Sequence, residues 1–384
     1  MSSAFDKLIK KVADKNPMAV SCDGTIKWCP IESPQATYMM GGGVPTARII
    51  RFRGPSSSGK SAFCNYLAGQ LQKGCPELYD NPNKNKVLYL DFERTFEKRF
   101  ATSVGVDTSP DKFFQLTFDT IEDMSDGIED LVKSGEVAAI ILDSDAAAPT
   151  RTTITDPAGK ASFGSRAKAL TEFCNKYNIL CANYGTTILW ISQERANLNP
   201  MARLPTATGG EAINYYTSIT CRITKTDDIK DATGDVCGIE MRVRNYKNKC
   251  SVPFRDANMK LYYDGGFDSN SEYIDFLLLL GMVKQAGAYF KFTHEGQDYS
   301  LQGRKKLQEW LDTHADVYDA WKKEIIEKIS HHNEILDANN QATDENGNEI
   351  SLDEAKKMGN AVDPAELASQ ALAAATAADD AVAD

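Results

Sequence analysis

Residues 4–15 repeat apolar side chains at helical spacing, through Phe5, Leu8, Ile9 and Val12. That spacing predicts a short amphipathic helix, too small to close a core of its own. Two dockings suit it equally, one on its own domain and one on another subunit. From residue 47 the pattern changes. Short apolar runs at 47–52, 86–92, 137–143 and 186–192 alternate with helical periodicity, first up to about 73 and then over 121–134 and 166–177. Such alternation predicts an α/β core, a mostly parallel sheet with helices on both faces. The run Val-Ala-Ala-Ile-Ile-Leu-Asp at 137–143 lacks any polar alternation, as a strand buried on both faces would. Segments 219–224, 239–245 and 260–263 read as strands that extend the sheet in antiparallel fashion. After residue 268 the pattern gives helices at 271–280, 303–312 and 317–329, with short strands around 289–292. This predicts a small α+β domain.

Charge divides the chain unevenly. The net charge is −11, yet residues 333–384 hold twelve acids and only Lys356 and Lys357 as bases. The remainder is near neutral and can carry local basic patches. The tail lacks aromatics and turns alanine-rich, a composition expected to stay disordered. The organisation expected is therefore 1–36 as helix and linker, 37–268 as core, 269–332 as small domain and 333–384 as acidic tail. No apolar run of about 18 residues occurs, and the start carries no basic head before an apolar core. A cytoplasmic protein is expected. None of the nine cysteines forms a Cys-x-x-Cys pair, which argues against zinc and disulfide frameworks.

The candidate chemistry sits at the strand ends. Gly54-Pro55-Ser56-Ser57-Ser58-Gly59-Lys60-Ser61 fits Gly-x4-Gly-Lys-Ser between an expected strand and helix. Such a loop turns backbone N–H groups inward to cradle phosphates; Lys60 reaches the β- and γ-phosphates of ATP and Ser61 holds Mg²⁺. Asp143, ending the buried run, supplies a carboxylate where the metal needs one. Glu93, after the run 86–92, is the candidate for activating water. Gln193, after the run 186–192, is placed to touch the γ-phosphate and report it.

Together these residues resemble RecA-type DNA recombinases, the bacterial proteins and their phage relatives. The resemblance runs from about 37 to about 329. It includes Gly41-Gly42-Gly43-Val44-Pro45, the phosphate loop, Leu-Asp-Phe-Glu, Ile-Ile-Leu-Asp-Ser and Ile-Ser-Gln. Tyr246-Lys247-Asn248-Lys249 and Gln285-Ala286-Gly287-Ala288-Tyr289 are its most specific parts. It implies a DNA-dependent ATPase that polymerises on single-stranded DNA, pairs it with homologous duplex and exchanges strands. Glu93 resembles the family's catalytic glutamate, and Gln193 the glutamine coupling ATP to DNA. Phe100 falls where an aromatic stacks on adenine, with Glu97 near the base and Tyr263 also assigned to the nucleotide. Lys247 and Lys249 match lysines reaching a neighbouring subunit's ATP. Single-strand-binding and loading proteins are the further partners implied.

Two loops should contact DNA. The first, 151–164, has Phe163 and Lys168 near its end. The second, 194–210, bears Arg195, Leu198, Met201, Arg203, Gly209 and Gly210. Both lack periodicity and read as mobile. Arginines suit phosphates, and apolar side chains suit wedging between bases. The C-terminal domain is implied to capture duplex through Lys284, Lys291, Arg304, Lys305 and Lys306. The tail then either masks that patch or serves solubility. Departures from the family pattern stand in the first forty residues, which match poorly, at Asp145, where an apolar residue is common, and at Asn214 and Tyr215, where Lys and Phe are usual. This divergence favours a phage protein. A ring-forming helicase motor and a non-catalytic mediator are the competing classes. The lysine pair and the 285–289 segment disfavour the helicase, and intact Lys60, Ser61, Glu93 and Asp143 disfavour the mediator.

Overall fold

The computed structural model describes residues 11, 25–155, 164–195, 206–207 and 210–339. Fifteen strands are found among them. A short antiparallel pair, β1 (Trp28–Cys29) and β2 (Val44–Pro45), brackets a helix at Pro34–Met40. The main sheet contains β3 (Ile49–Gly54), β4 (Lys86–Asp91), β5 (Phe113–Leu116), β6 (Val137–Asp143) and β7 (Thr187–Arg195). It adds β8 (Thr206–Ala207), β9 (Ile219–Lys230), β10 (Val236–Asn248), β11 (Asp256–Tyr262) and β12 (Gly266–Phe267). The order is β12-β11-β10-β9-β3-β7-β6-β4-β5, with β8 hydrogen-bonded to β7.

From β9 to β5 neighbouring strands run parallel. The mostly parallel sheet is as the sequence pattern predicts. One orientation differs. The segment expected to open an antiparallel extension, β9, pairs parallel with β3. The helix Gly210–Tyr216 precedes it and acts as a crossover, which a parallel return requires. The antiparallel strands of this sheet are β10, β11 and β12 beyond β9, and the two-residue β8 on β7.

Both faces of the sheet are covered, and every residue of β6 is buried. On one face the helix Lys60–Leu78 packs Phe63, Leu67 and Leu71 against Phe52, Tyr89 and Ile191. On the other, the helix Ser165–Tyr184 packs Leu170, Phe173 and Tyr177 against Ile140, Leu142 and Trp190. Burying side chains of this size contributes about 1.5–3 kcal/mol each. The Ser165–Tyr184 helix outruns its predicted end at 177 because Leu180 and Cys181 continue the buried stripe. The predicted helix 121–134 is broken in two, Ile121–Gly127 and Glu129–Lys133, with Ile128 capping the first and leading into the second.

The C-terminal part packs a separate cluster. Strands β13 (Lys284–Ala286), β14 (Tyr289–His294) and β15 (Gln297–Gln302) form an antiparallel sheet. Its Phe290 and Phe292 meet Leu277, Leu307, Trp310 and Ile325 from helices Ser269–Leu279, Arg304–Thr313 and Ala315–Asn339. The last helix runs past residue 332, where disorder was expected. Elongating a formed helix avoids the nucleation cost, and Ile325 and Ile329 anchor it in the cluster. Glu272, 3% exposed, ties this part to the core by accepting bonds from Ser33 Oγ and the Gln35 N–H. Burial pushes its carboxyl up to about 8. The N-terminal helix expected at 4–15 lies outside the described residues, apart from Lys11.

Candidate nucleotide and DNA sites

Strands β3, β4, β6 and β7 deliver Gly54, Asp91, Asp143 and Arg195 to one edge of the sheet. In parallel sheets this C-terminal edge is where ligands bind. The loop after β3 is shaped by close approach. A Cβ at Gly54 would stand 2.1 Å from the Ile223 carbonyl oxygen. Gly59 caps the following helix at φ +90°, a left-handed conformation that disfavours side chains. The helix N-terminus therefore opens onto the loop 54–61, as anion binding requires.

Lys60 is buried and donates to the Pro55 carbonyl at 2.5 Å. Burial lowers its ammonium from the ordinary lysine value, opposed by the charges of Asp143 and Glu93. Ser61 Oγ donates to Asp143 Oδ2 at 2.8 Å, and Tyr89 Oη donates to the same oxygen at 2.6 Å. Burial lifts the Asp143 carboxyl above the usual range; the two hydroxyls pull it back. A hydroxyl and a carboxylate this close at a phosphate loop are a fitting donor pair for Mg²⁺. Tyr89 is absent from the sequence-derived set, because a tyrosine within an apolar strand reads as core.

Glu93 stands beside this pair. Its Oε1 accepts from Ser144 Oγ and, at 2.8 Å, from Gln193 Nε2. The expected water-activating and sensing residues are thus in direct contact across the end of β6. The turn leading from Glu93 is fixed by Asp91, also unforeseen. It accepts from Thr95 N–H, Phe96 N–H and Gln115 Nε2. Glu97 caps the helix Lys98–Ser103 through the Arg99 and Phe100 N–H groups. Phe100 is partly buried against the core, while Tyr263 is 43% exposed beyond β11.

Lys247 lies on β10 and donates to the Asn214 carbonyl; Lys249, just past the strand end, donates to the Tyr215 carbonyl at 2.8 Å. These are last-turn carbonyls of the helix Gly210–Tyr216, where cations are favoured. Among the described residues neither lysine has a carboxylate partner. Burial and the Lys249 charge lower the Lys247 ammonium.

Residues 26–268 match the family model described as the RecA N-terminal domain. Protein RecA of Salinispora arenicola is 31% identical over 289 residues, which cover 75% of this chain and 79% of that protein. Protein RecA 1 of Myxococcus xanthus is 32% identical over 285 residues, 74% of this chain and 79% of that protein. Protein RecA of Corynebacterium glutamicum is 31% identical, covering 75% and 73%. The chain belongs to the RecA family. That membership carries a recombinase role and DNA-dependent ATP hydrolysis, and with them DNA binding and filament formation. It lends no support to the phage preference.

Within this RecA-family chain, the expected DNA loops are only partly described. Residues 151–155 form a helical turn rather than irregular loop, with Arg151 engaged by Asp123. Thr150 hydroxyl bonds to Thr152 and Thr153 stabilise that turn. Lys168 is exposed within the Ser165–Tyr184 helix and sits 3.9 Å from Glu172. Arg195 ends β7 and pairs with Thr206 of β8, so the second loop continues the sheet before it departs. Gly210 begins the helix beyond it. Phe163, Leu198, Met201, Arg203 and Gly209 lie outside the described residues. No helix among the described residues is long and apolar enough to cross a membrane.

Proposed function

We propose that this protein polymerises on single-stranded DNA and completes each ATP site between two neighbouring subunits. Lys60 and the loop 54–61 hold the phosphates, with Glu97, Phe100 and Tyr263 at the base. Ser61 and Asp143 would hold Mg²⁺, which neutralises charge developing on the transferred phosphoryl group. Glu93 orients and deprotonates the attacking water. Gln193 senses the γ-phosphate through the same carboxylate. Lys247 and Lys249 leave their carbonyls for the ATP of the adjoining subunit. The contact between Gln193 and Glu93 carries this reading: it joins the hydrolytic residue to the strand entering the loop 194–210.

Strand exchange then follows filament assembly, with hydrolysis serving release. The loops 151–164 and 194–210 hold the single strand through Phe163, Lys168, Arg195, Leu198, Met201, Arg203, Gly209 and Gly210. The residues 1–36 link subunits, 37–268 form the motor, and 269–332 capture duplex. Support for capture comes from Lys284 and Lys291. They are exposed register partners on β13 and β14, and facing like charges favour an anion between them. The tail 333–384 competes for that patch; its removal should raise duplex affinity at low salt. Single-strand-binding and loading proteins are the further partners. A phage member is the finer assignment of origin, supported by the departures in the first forty residues and at Asp145, Asn214 and Tyr215.

The test is ATP hydrolysis with and without single-stranded DNA, with electron microscopy of the same samples. DNA-stimulated turnover with helical filaments supports the proposal. Closed rings that unwind duplex would replace it with a helicase motor. Absence of turnover would replace it with a mediator.

A further inference from the structure

Arg51 lies in the middle of β3, in register with Trp190 of β7 and Thr220 of β9, and is 1% exposed. An apolar side chain would fill this place at lower cost, since burying a charge is expensive even when it is paired. The Asp145 carboxylate stands 3.7 Å from the guanidinium and is itself fully buried. Its Oδ2 also accepts from Trp190 Nε1 at 3.0 Å and from Ser192 Oγ at 2.8 Å.

Two bonds of Arg51 among the described residues reach separated places. Nε donates to Ser192 Oγ at 2.9 Å, and the NH1 nitrogen donates to Asn214 Oδ1 at 2.8 Å. Ser192 immediately precedes Gln193 on the strand entering the loop 194–210. Asn214 lies on the helix leaving that loop, and its carbonyl seats Lys247. One planar guanidinium therefore spans both ends of the loop, and its fork has a fixed geometry.

We infer that Arg51, held by Asp145, is a positioning residue that sets the spacing between the two ends of the DNA-contacting loop. Its bonds to Ser192 and Asn214 tie the strand that carries Gln193 to the helix that seats Lys247. DNA bound at the loop is thereby coupled to the ATP site. The inference rests on the proposed reading of 194–210 as a DNA-contacting loop.

The experiment compares the full-length chain with two variants. Arg51→Met with Asp145→Val removes the buried pair as a unit, an exchange that buried ion pairs commonly tolerate. Asn214→Ala removes only the distal bond, from an exposed residue. For each, three readouts are taken: affinity for a fluorescent ATP analogue, hydrolysis without DNA, and the poly(dT) concentration giving half-maximal hydrolysis. The expected result is a half-saturating poly(dT) concentration raised about tenfold in both variants, as loss of a charge-assisted bond implies. Nucleotide affinity and DNA-free hydrolysis stay at wild-type values. Wild-type poly(dT) response in both variants would overturn the inference. If the double variant fails to melt cooperatively, Asn214→Ala decides alone. A wild-type protein that ignores poly(dT) would instead overturn the loop assignment, and the inference with it.

Discussion

Around the phosphate loop the polar side chains engage one another: Ser61 and Tyr89 meet at Asp143, and Ser144 and Gln193 meet at Glu93. At the end of β10, Lys247 and Lys249 engage two backbone carbonyls. The first region has its geometry set within one chain. The second has two cations and no described carboxylate to meet them. A region of the first kind can bind and orient a substrate unaided. A region of the second kind presents charge that an incoming triphosphate can take up at little cost, because a cation–carbonyl bond is weaker than an ion pair. The contrast assigns chemistry to one region and assembly to the other.

The sharpest way to break the comparison is at Glu93. Glu93→Gln keeps the shape and removes the base, so turnover should fall about 10²–10⁴-fold while nucleotide affinity holds. Equal losses in both would mean that Glu93 only supports the fold. At the other region, Lys247→Ala should lower DNA-stimulated turnover about 10²-fold, the scale of one electrostatic donor. Nucleotide binding by dilute, unassembled protein should not change. A change there would place Lys247 in its own chain's site.

Smaller effects sharpen the picture. Tyr89→Phe removes one of two donors to Asp143 Oδ2, and should raise the half-saturating Mg²⁺ concentration for nucleotide binding about fivefold, near 1 kcal/mol. An unchanged Mg²⁺ titration would leave Tyr89 as core alone. The last effect lies far from both regions and is read in stability rather than turnover. Glu272 holds its proton in the folded chain up to about pH 8 but loses it near 4.5 when unfolded. The native state then binds more protons, so stability contributed here declines as pH rises from about 4.5 to 8. Melting temperatures across that window should fall less in Glu272→Gln than in the wild type.

The sheet and the phosphate loop were legible because their signals are local. A run of six apolar or small residues before Asp143, and two glycines flanking Pro55–Ser58, carry their meaning in sequence order. The contact between Glu93 and Gln193 was not legible, because it depends on β4 and β7 flanking β6 in matching register. Strand β5 has only four residues, too few to show a period, and pairs parallel with β4 at the sheet edge. The helix Pro34–Met40 does carry a signal, Ser33 before Pro34, the usual cap and first-turn pair, but its seven residues are too few to show a helical period. The parallel direction of β9 was hidden for a different reason. Apolar alternation reports burial, whereas direction is set by the crossover helix Gly210–Tyr216. Arg51 and Asp145 were hidden most completely. Two opposite charges 94 positions apart become partners only through the order β3-β7-β6.

A mixing experiment tests most directly whether the ATP site is shared between copies. Glu93→Gln subunits retain Lys247, and Lys247→Ala subunits retain Glu93. Assembled together on single-stranded DNA, they form some interfaces holding both intact residues. The account predicts hydrolysis in the mixture well above the sum of the two variants measured separately. Hydrolysis equal to that sum, in filaments shown to contain both variants, would contradict it.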